Sequence, residues 1–186
     1  MAKGTPIHKL TLQGLPLRAS APVLMVRWNE MMAWASGIHD PENVAGLHNL
    51  RIAAKRLRYT LEIFAPVLPD SDDLLRTVEE VQERIGQIHD CDILFPLLRD
   101  TLERESRRER KRMLRAAGPP PYLAAEGLVA LIGRKRQERT ALYENFLKWW
   151  DALPPERVGE RLETLAGLAG APSETAAEKD QMHDAS

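Results

Sequence analysis

Residues 48–64 read HNLRIAAKRLRYTLEIF, and two periodicities run through that stretch. Wound as an α-helix, His48, Arg51, Lys55 and Arg58 recur at spacings of 3, 4 and 3 and form one basic stripe. Beside it, Leu47, Leu50, Ala54, Leu57, Leu61 and Phe64 form the apolar stripe that such a helix buries. No acidic residue lies between His48 and Leu61, so the basic stripe has no neutralising partner within itself. A helix that needs only solubility mixes signs, placing Glu one turn ahead of Lys or Arg. The stripe therefore poses a choice between a solvated basic face and a surface that meets anions.

Around this stretch the chain supplies helix boundaries. Asp40 offers an N-cap with Pro41 at the first helical position, and Pro66 and Pro69 end the helix near Ala65. A helix of about 25 residues is about 37 Å long, enough to line a groove. Upstream, Leu24, Trp28, Met31 and Ala35 repeat at helical spacing from Pro22 until Gly37. Residues 1–20 hold Gly4, Pro6, Gly14 and Pro16 without a sustained period and read as a flexible segment.

Downstream, Asp70 or Ser71 caps a further helix, with Asp72 and Asp73 in its positive first turn. Leu74, Val78, Val81, Ile85 and Ile88 carry its apolar face, and the next step of the pattern lands on Asp92. A carboxylate in a core register needs a facing cation. Pro96 predicts a kink or break, followed by a basic segment from Arg104 to Arg115 that stops before Gly118 and Pro119 to Pro121. In the last helix, about Tyr122 to Leu153, one face carries Leu128, Ile132, Lys135, Arg139, Leu142, Phe146, Trp149 and Leu153. Lys135 and Arg139 thus stand where the pattern calls for leucine. Buried cations need partners, and the candidates are Asp92 or an external anion.

After Pro154 and Pro155 the chain turns small, polar and acidic, so 154–186 reads as a disordered tail behind a helical domain over 21–153. No alternating strand pattern appears. The expected fold class is all-α, an antiparallel bundle of about four long helices.

The 26 Lys and Arg and 27 Asp and Glu leave a formal net charge of only -1. Distribution matters more than the sum: cations gather in 51–58, 104–115 and 134–139, acids in 70–83 and beyond 156. The single cysteine, Cys91, excludes an intramolecular disulfide framework and fits a reducing, cytoplasmic setting. There is no transmembrane-length apolar run and no signal-peptide pattern.

Several catalytic readings fail on local grounds. Glu103-x-Glu105-x-Arg107 is similar to a triphosphate-hydrolase signature, but that chemistry needs alternating carboxylates on a barrel strand and this segment is helical in pattern. Glu103, Glu105 and Glu109 also interleave with the surrounding arginines, as on a solvated surface. His39-Asp40 precedes Pro41 and reads as a cap. His89, Asp90 and Asp92 point to different helix faces and do not converge on a metal. Cys91 reads as a packed small residue, and Trp149 and Trp150 as core and rim anchors. Aromatic content of 5% leaves no stacking platform for single-stranded nucleic acid, and no groove-reading module is present. We expect no enzyme, no cofactor and no metal site.

The order His48-x-x-Arg51-x-x-x-Lys55-Arg56-x-Arg58-Tyr59 resembles the signature of the CHAD family, the conserved histidine α-helical domain that binds polyphosphate. Downstream, Ile85-Gly86-Gln87-Ile88-His89-Asp90-Cys91-Asp92-Ile93-Leu94 is similar to that family's Leu-Gly segment followed by Asp-x-Asp-Val-Leu. His89 stands where many members carry Arg. The likeness extends over about Pro22 to Leu153. It implies two helical bundles related by a pseudo-two-fold with basic residues lining a central groove. This chain holds one motif pair, in a form similar to the second half of the family's repeat, so a symmetric homodimer is the natural way to rebuild the groove.

With that resemblance, the expected function is non-catalytic binding of inorganic polyphosphate, with targeting to polyphosphate granules as one use. A linear polyphosphate needs a track of cations, Arg as a planar fork and Lys as a mobile charge. The main track is His48, Arg51, Lys55 and Arg58, with Arg84, Lys135 and Arg139 as further phosphate contacts. Arg56 lies off the stripe and is secondary, and Asp92 orients one of the cations. Two alternatives stay open: a helical scaffold or protein-interaction module whose charges pair internally, and a general polyanion or nucleic-acid binder.

Overall fold

The computed structural model describes residues 17–68, 71–115, 124–154 and 158–164. Every regular element among them is helical: α1 (Leu17–Ala35), α2 (Val44–Phe64), α3 (Asp72–Arg115), α4 (Ala124–Ala152) and a short α5 (158–164). Helix packs directly on helix, α1 on α2, α2 on α3 and α3 on α4. The all-α bundle expected from the periodicities is what the chain forms.

The core is built from the predicted stripes. Leu47, Leu50, Ala54, Leu57 and Leu61 of α2 meet Leu74, Val78, Val81, Ile85 and Ile88 of α3, with Leu24, Trp28 and Met31 from α1 and Phe146 from α4. Burial of such side chains contributes about 1.5–3 kcal/mol each.

Several boundaries differ from the sequence reading. Helix α1 begins at Leu17 and runs through Pro22, so 17–20 belong to the helix rather than to the flexible segment. Asn43, not Asp40, caps α2: its Oδ1 accepts from the Gly46 amide at 2.9 Å and its Nδ2 donates to the Gly37 carbonyl at 3.2 Å. Asp40 instead accepts from the Glu42 amide at 3.0 Å and closes the turn before the helix. Both glycines are required by this clamp, because a Cβ at Gly37 would lie 2.7 Å from the Asn43 amide nitrogen and one at Gly46 would overlap the same side chain.

Pro96 does not break α3, which continues over 44 residues and joins the expected separate basic segment to the helix before it. Helix α4 packs against both halves. Cys91 and Leu94 on one side of the proline, and Phe95, Arg99 and Leu102 around it, all face α4 residues across shared depressions. Residues 158–164 are also helical, and Leu162 is fully buried, so the ordered domain extends past the expected boundary at 153. Gly159 faces the Trp28 indole, where an added Cβ would meet its nitrogen at an ordinary contact distance of 3.4 Å. The expectations for 1–16, for Pro69 and Asp70, for 116–123 with its three prolines, for 155–157 and for 165–186 lie outside the described residues.

Candidate anion-binding groove

Helices α2 and α3 run antiparallel, and three contacts fix their register. The rings of His48 and His89 lie 4.6 Å apart. Gly86 faces Arg51, where an added Cβ would sit 3.5 Å from Nε. Arg58 faces Glu79 at 3.6 Å. The same register sets Lys55 opposite Gln82. The basic stripe of α2 and a stripe of α3 at the same 3–4–3 spacing (Glu79, Gln82, Gly86, His89) therefore form the two walls of one seam.

Polar atoms along this seam are left without partners. His48 Nδ1, Arg51 Nε, Arg58 Nε and Gln82 Oε1 are buried and make no hydrogen bond. Such groups are rare in folded proteins and each calls for a reason. Among the described residues, Arg51 and Lys55 have no carboxylate within ion-pair distance, and Lys55 rests over the Tyr59 ring at 5.5 Å. Arg58 differs: Glu62 and Glu79 each approach it at 3.6 Å, and its guanidinium also lies over Tyr59. Arg56, off the stripe, lines a shallow depression with Glu30, Ala33, Trp34 and Ala53, on the α1 side of α2.

Electrostatics at the histidine end follow from this crowding. His89 is held below the ordinary 6.5, first by burial and then by His48 and Arg51, with Asp92 and Asp90 pulling the other way. The missing signal in the sequence was that His89 lies across from His48. Read alone, it was a substitution at an expected arginine.

The remaining predicted cations do not join this groove. Arg84 pairs with Glu80 and stacks on Trp149 of α4, its guanidinium 4.9 Å from the ring centre. Lys135 is not a core residue: it bonds Glu138 on its own helix at 2.6 Å, and that contact holds its ammonium above the ordinary value. Arg139 is the buried cation of the pair, 2.5 Å from Asp92 and 2.9 Å from the Pro41 carbonyl. It ties α3, α4 and the loop before α2 together. These three lie on the α3–α4 side, apart from the main track of His48, Arg51, Lys55 and Arg58 on the α2–α3 seam.

Other chemistry is sparse. Among the described residues no group of His, Cys, Asp or Glu could hold a metal ion. His39 meets Asp151 at 3.1 Å on an exposed surface, linking the α1–α2 loop to α4. Cys91 is a buried free thiol whose pKa is raised by burial. No described helix is long and apolar enough to cross a membrane.

No curated protein and no solved structure matches this chain. A family model described as the CHAD domain matches residues 6–99, about half of the chain. That match contains α2 and the whole α3 wall of the groove, stops three residues after Pro96, and leaves α4 outside it. The chain belongs to the CHAD-domain family.

Proposed function

We propose that this protein is a non-catalytic receptor for inorganic polyphosphate, bound in the α2–α3 groove by His48, Arg51 and Lys55, with Arg58 at its edge. One observation carries the reading: unpartnered buried polar atoms and two cations without carboxylates line the same seam. A phosphate oxygen would satisfy Arg51 Nε and, with its proton on that nitrogen, His48 Nδ1, and the Gln82 amide can turn its NH2 toward an anion. Family membership supports the ligand class. Service as an address to cytoplasmic polyphosphate granules, and a homodimer that sets two such grooves side by side, belong to the same proposal.

A titration with labelled long-chain polyphosphate, repeated over a range of salt and competed by an oligonucleotide of matched charge, tests it. Tight, salt-dependent binding that the oligonucleotide does not displace supports the reading. Equal displacement makes the protein a general polyanion binder.

A second reading, a scaffold with an internal charge network, draws on the Arg58–Glu79, Arg84–Glu80 and Arg139–Asp92 pairs. Arg51→Glu with Lys55→Glu separates the two, since it abolishes polyphosphate binding while leaving helicity intact only if the groove is the site.

A further inference from the structure

The groove is basic over a short length, and its two ends differ. At the Arg58 end the carboxylates of Glu62 and Glu79 stand beside the cation and repel a continuing polyanion. At the other end, past His48 and His89, the same faces present Val44, Ile93 and Leu97, which are 39%, 62% and 58% exposed. Apolar side chains on that face offer a phosphate chain nothing to replace its water. The cations nearest Val44, which are Arg99, Arg136 and Arg139, lie in a depression on the α3–α4 side with Asp92 and Asp100, where Asp92 already holds Arg139. Between these limits lie His48, His89, Arg51 and Lys55, a span of about 10 Å along α2. That is the reach of a tripolyphosphate group rather than of a polymer.

Resting on the polyphosphate reading above, we propose that the groove seats a chain end: a tripolyphosphate-length segment with its terminal phosphate between His48 and His89 and its interior phosphates over Arg51 and Lys55. A terminal phosphate differs from an interior one in carrying a second ionisable oxygen, which in phosphate esters titrates near pH 6. The two imidazoles and the adjoining Arg51 converge on one end of the groove, where that extra charge is met. From α2 the groups facing His89 are His48 and Arg51, and from its own helix Asp90 and Asp92. The Arg58 end, flanked by two carboxylates, would reject a dianion. The end could come from a free oligophosphate or from the terminus of a long chain, and the chemistry is the same.

Calorimetric titration of the full chain with orthophosphate, pyrophosphate, tripolyphosphate, long-chain polyphosphate and long-chain polyphosphate with esterified ends tests the proposal. Affinity should climb up to tripolyphosphate and then change by less than about threefold for the long chain, which should take one protein per chain end. Esterifying the ends should weaken binding about tenfold, the worth of one charge-assisted contact. Ile93→Lys with Leu97→Lys should open the blocked end and make affinity rise with chain length. Stoichiometry that grows with chain length, or tight binding of end-blocked polymer with none of tripolyphosphate, overturns the chain-end seat and leaves the receptor standing. No binding of any of these ligands overturns both.

Discussion

At the scale of single residues, His89 and the Asp92–Arg139 pair make the sharpest predictions. Because His89 is held below 6.5 in the fold, the unfolded chain takes up a proton that the folded chain refuses between that lowered value and 6.5. Stability should therefore fall as pH drops from about 6.5 through this window, and His89→Gln should flatten the fall in urea midpoints. A bound polyanion reverses the sign at His89, since it favours the protonated ring, so affinity for the end-esterified chain, which has no phosphate titrating near pH 6, should rise over the same window. Asp92→Asn strands the Arg139 guanidinium in a site where the two side chains are 13% and 9% exposed, and should cost about 2–3 kcal/mol by urea denaturation. Replacing both with apolar residues should recover most of that loss. The need of Asp92 for a cation was legible from its place in the core register, and so was Arg139 as a candidate. Lys135 occupies an equivalent place in the pattern, yet Glu138 on the next turn holds it at the surface. A heptad count cannot distinguish a lysine that turns in from one that turns out.

The helices themselves carry a second set of consequences. Gly127 and Gly133 sit inside α4 where an added Cβ meets nothing within 4 Å. Changing either to Ala should stabilise the protein by about 1 kcal/mol, since helix propensity is the one term altered. Gly86→Ala should gain similarly, because its Cβ would meet Arg51 Nε at an ordinary contact distance of 3.5 Å, and a higher melting temperature is the expected outcome. Gly46→Ala should do the opposite. It displaces the Asn43 cap and should cost at least about 1 kcal/mol, read as a lower thermal midpoint. Helix stripes and their apolar faces were readable because the 3–4 spacing is unbroken over α2 and α3. The boundaries were not. An Asp-Pro pair signals a cap from local chemistry, but which residue caps α2 depends on Gly37 approaching Asn43 from the preceding turn. Pro96 likewise signals a break from the loss of one backbone donor, and packing along α4 outweighs it.

Across the whole molecule, order reaches beyond the helices first delineated. Leu162, fully buried though it lies in a polar, acidic stretch, should cost about 2–5 kcal/mol when changed to Ala, and a chain ending before residue 158 should unfold at lower denaturant than one ending after 164. Val158, Leu162 and Leu165 do recur at spacings of 4 and 3, but so short a run after two prolines and among glycines and acidic residues reads as tail, and only the burial of Leu162 in the core discloses it. The electrostatic layout was legible only in part. The concentration of charge on α2 was plain in the sequence, but the division of the cations between two seams depends on which face of α3 each neighbour covers. Helix α3 adds a mechanical consequence. As one rod of 44 residues it is about 66 Å long, and the register that sets Val44 across from Ile93 leaves about its second half running past α2, alongside the first half of α4. Its scattering radius of gyration should exceed the about 16 Å of a compact chain of this length. The rod is also a lever: past Pro96 it leaves α2 and is braced by α4, so a push on the far tip would be delivered as torque beside His89, at the proposed phosphate seat.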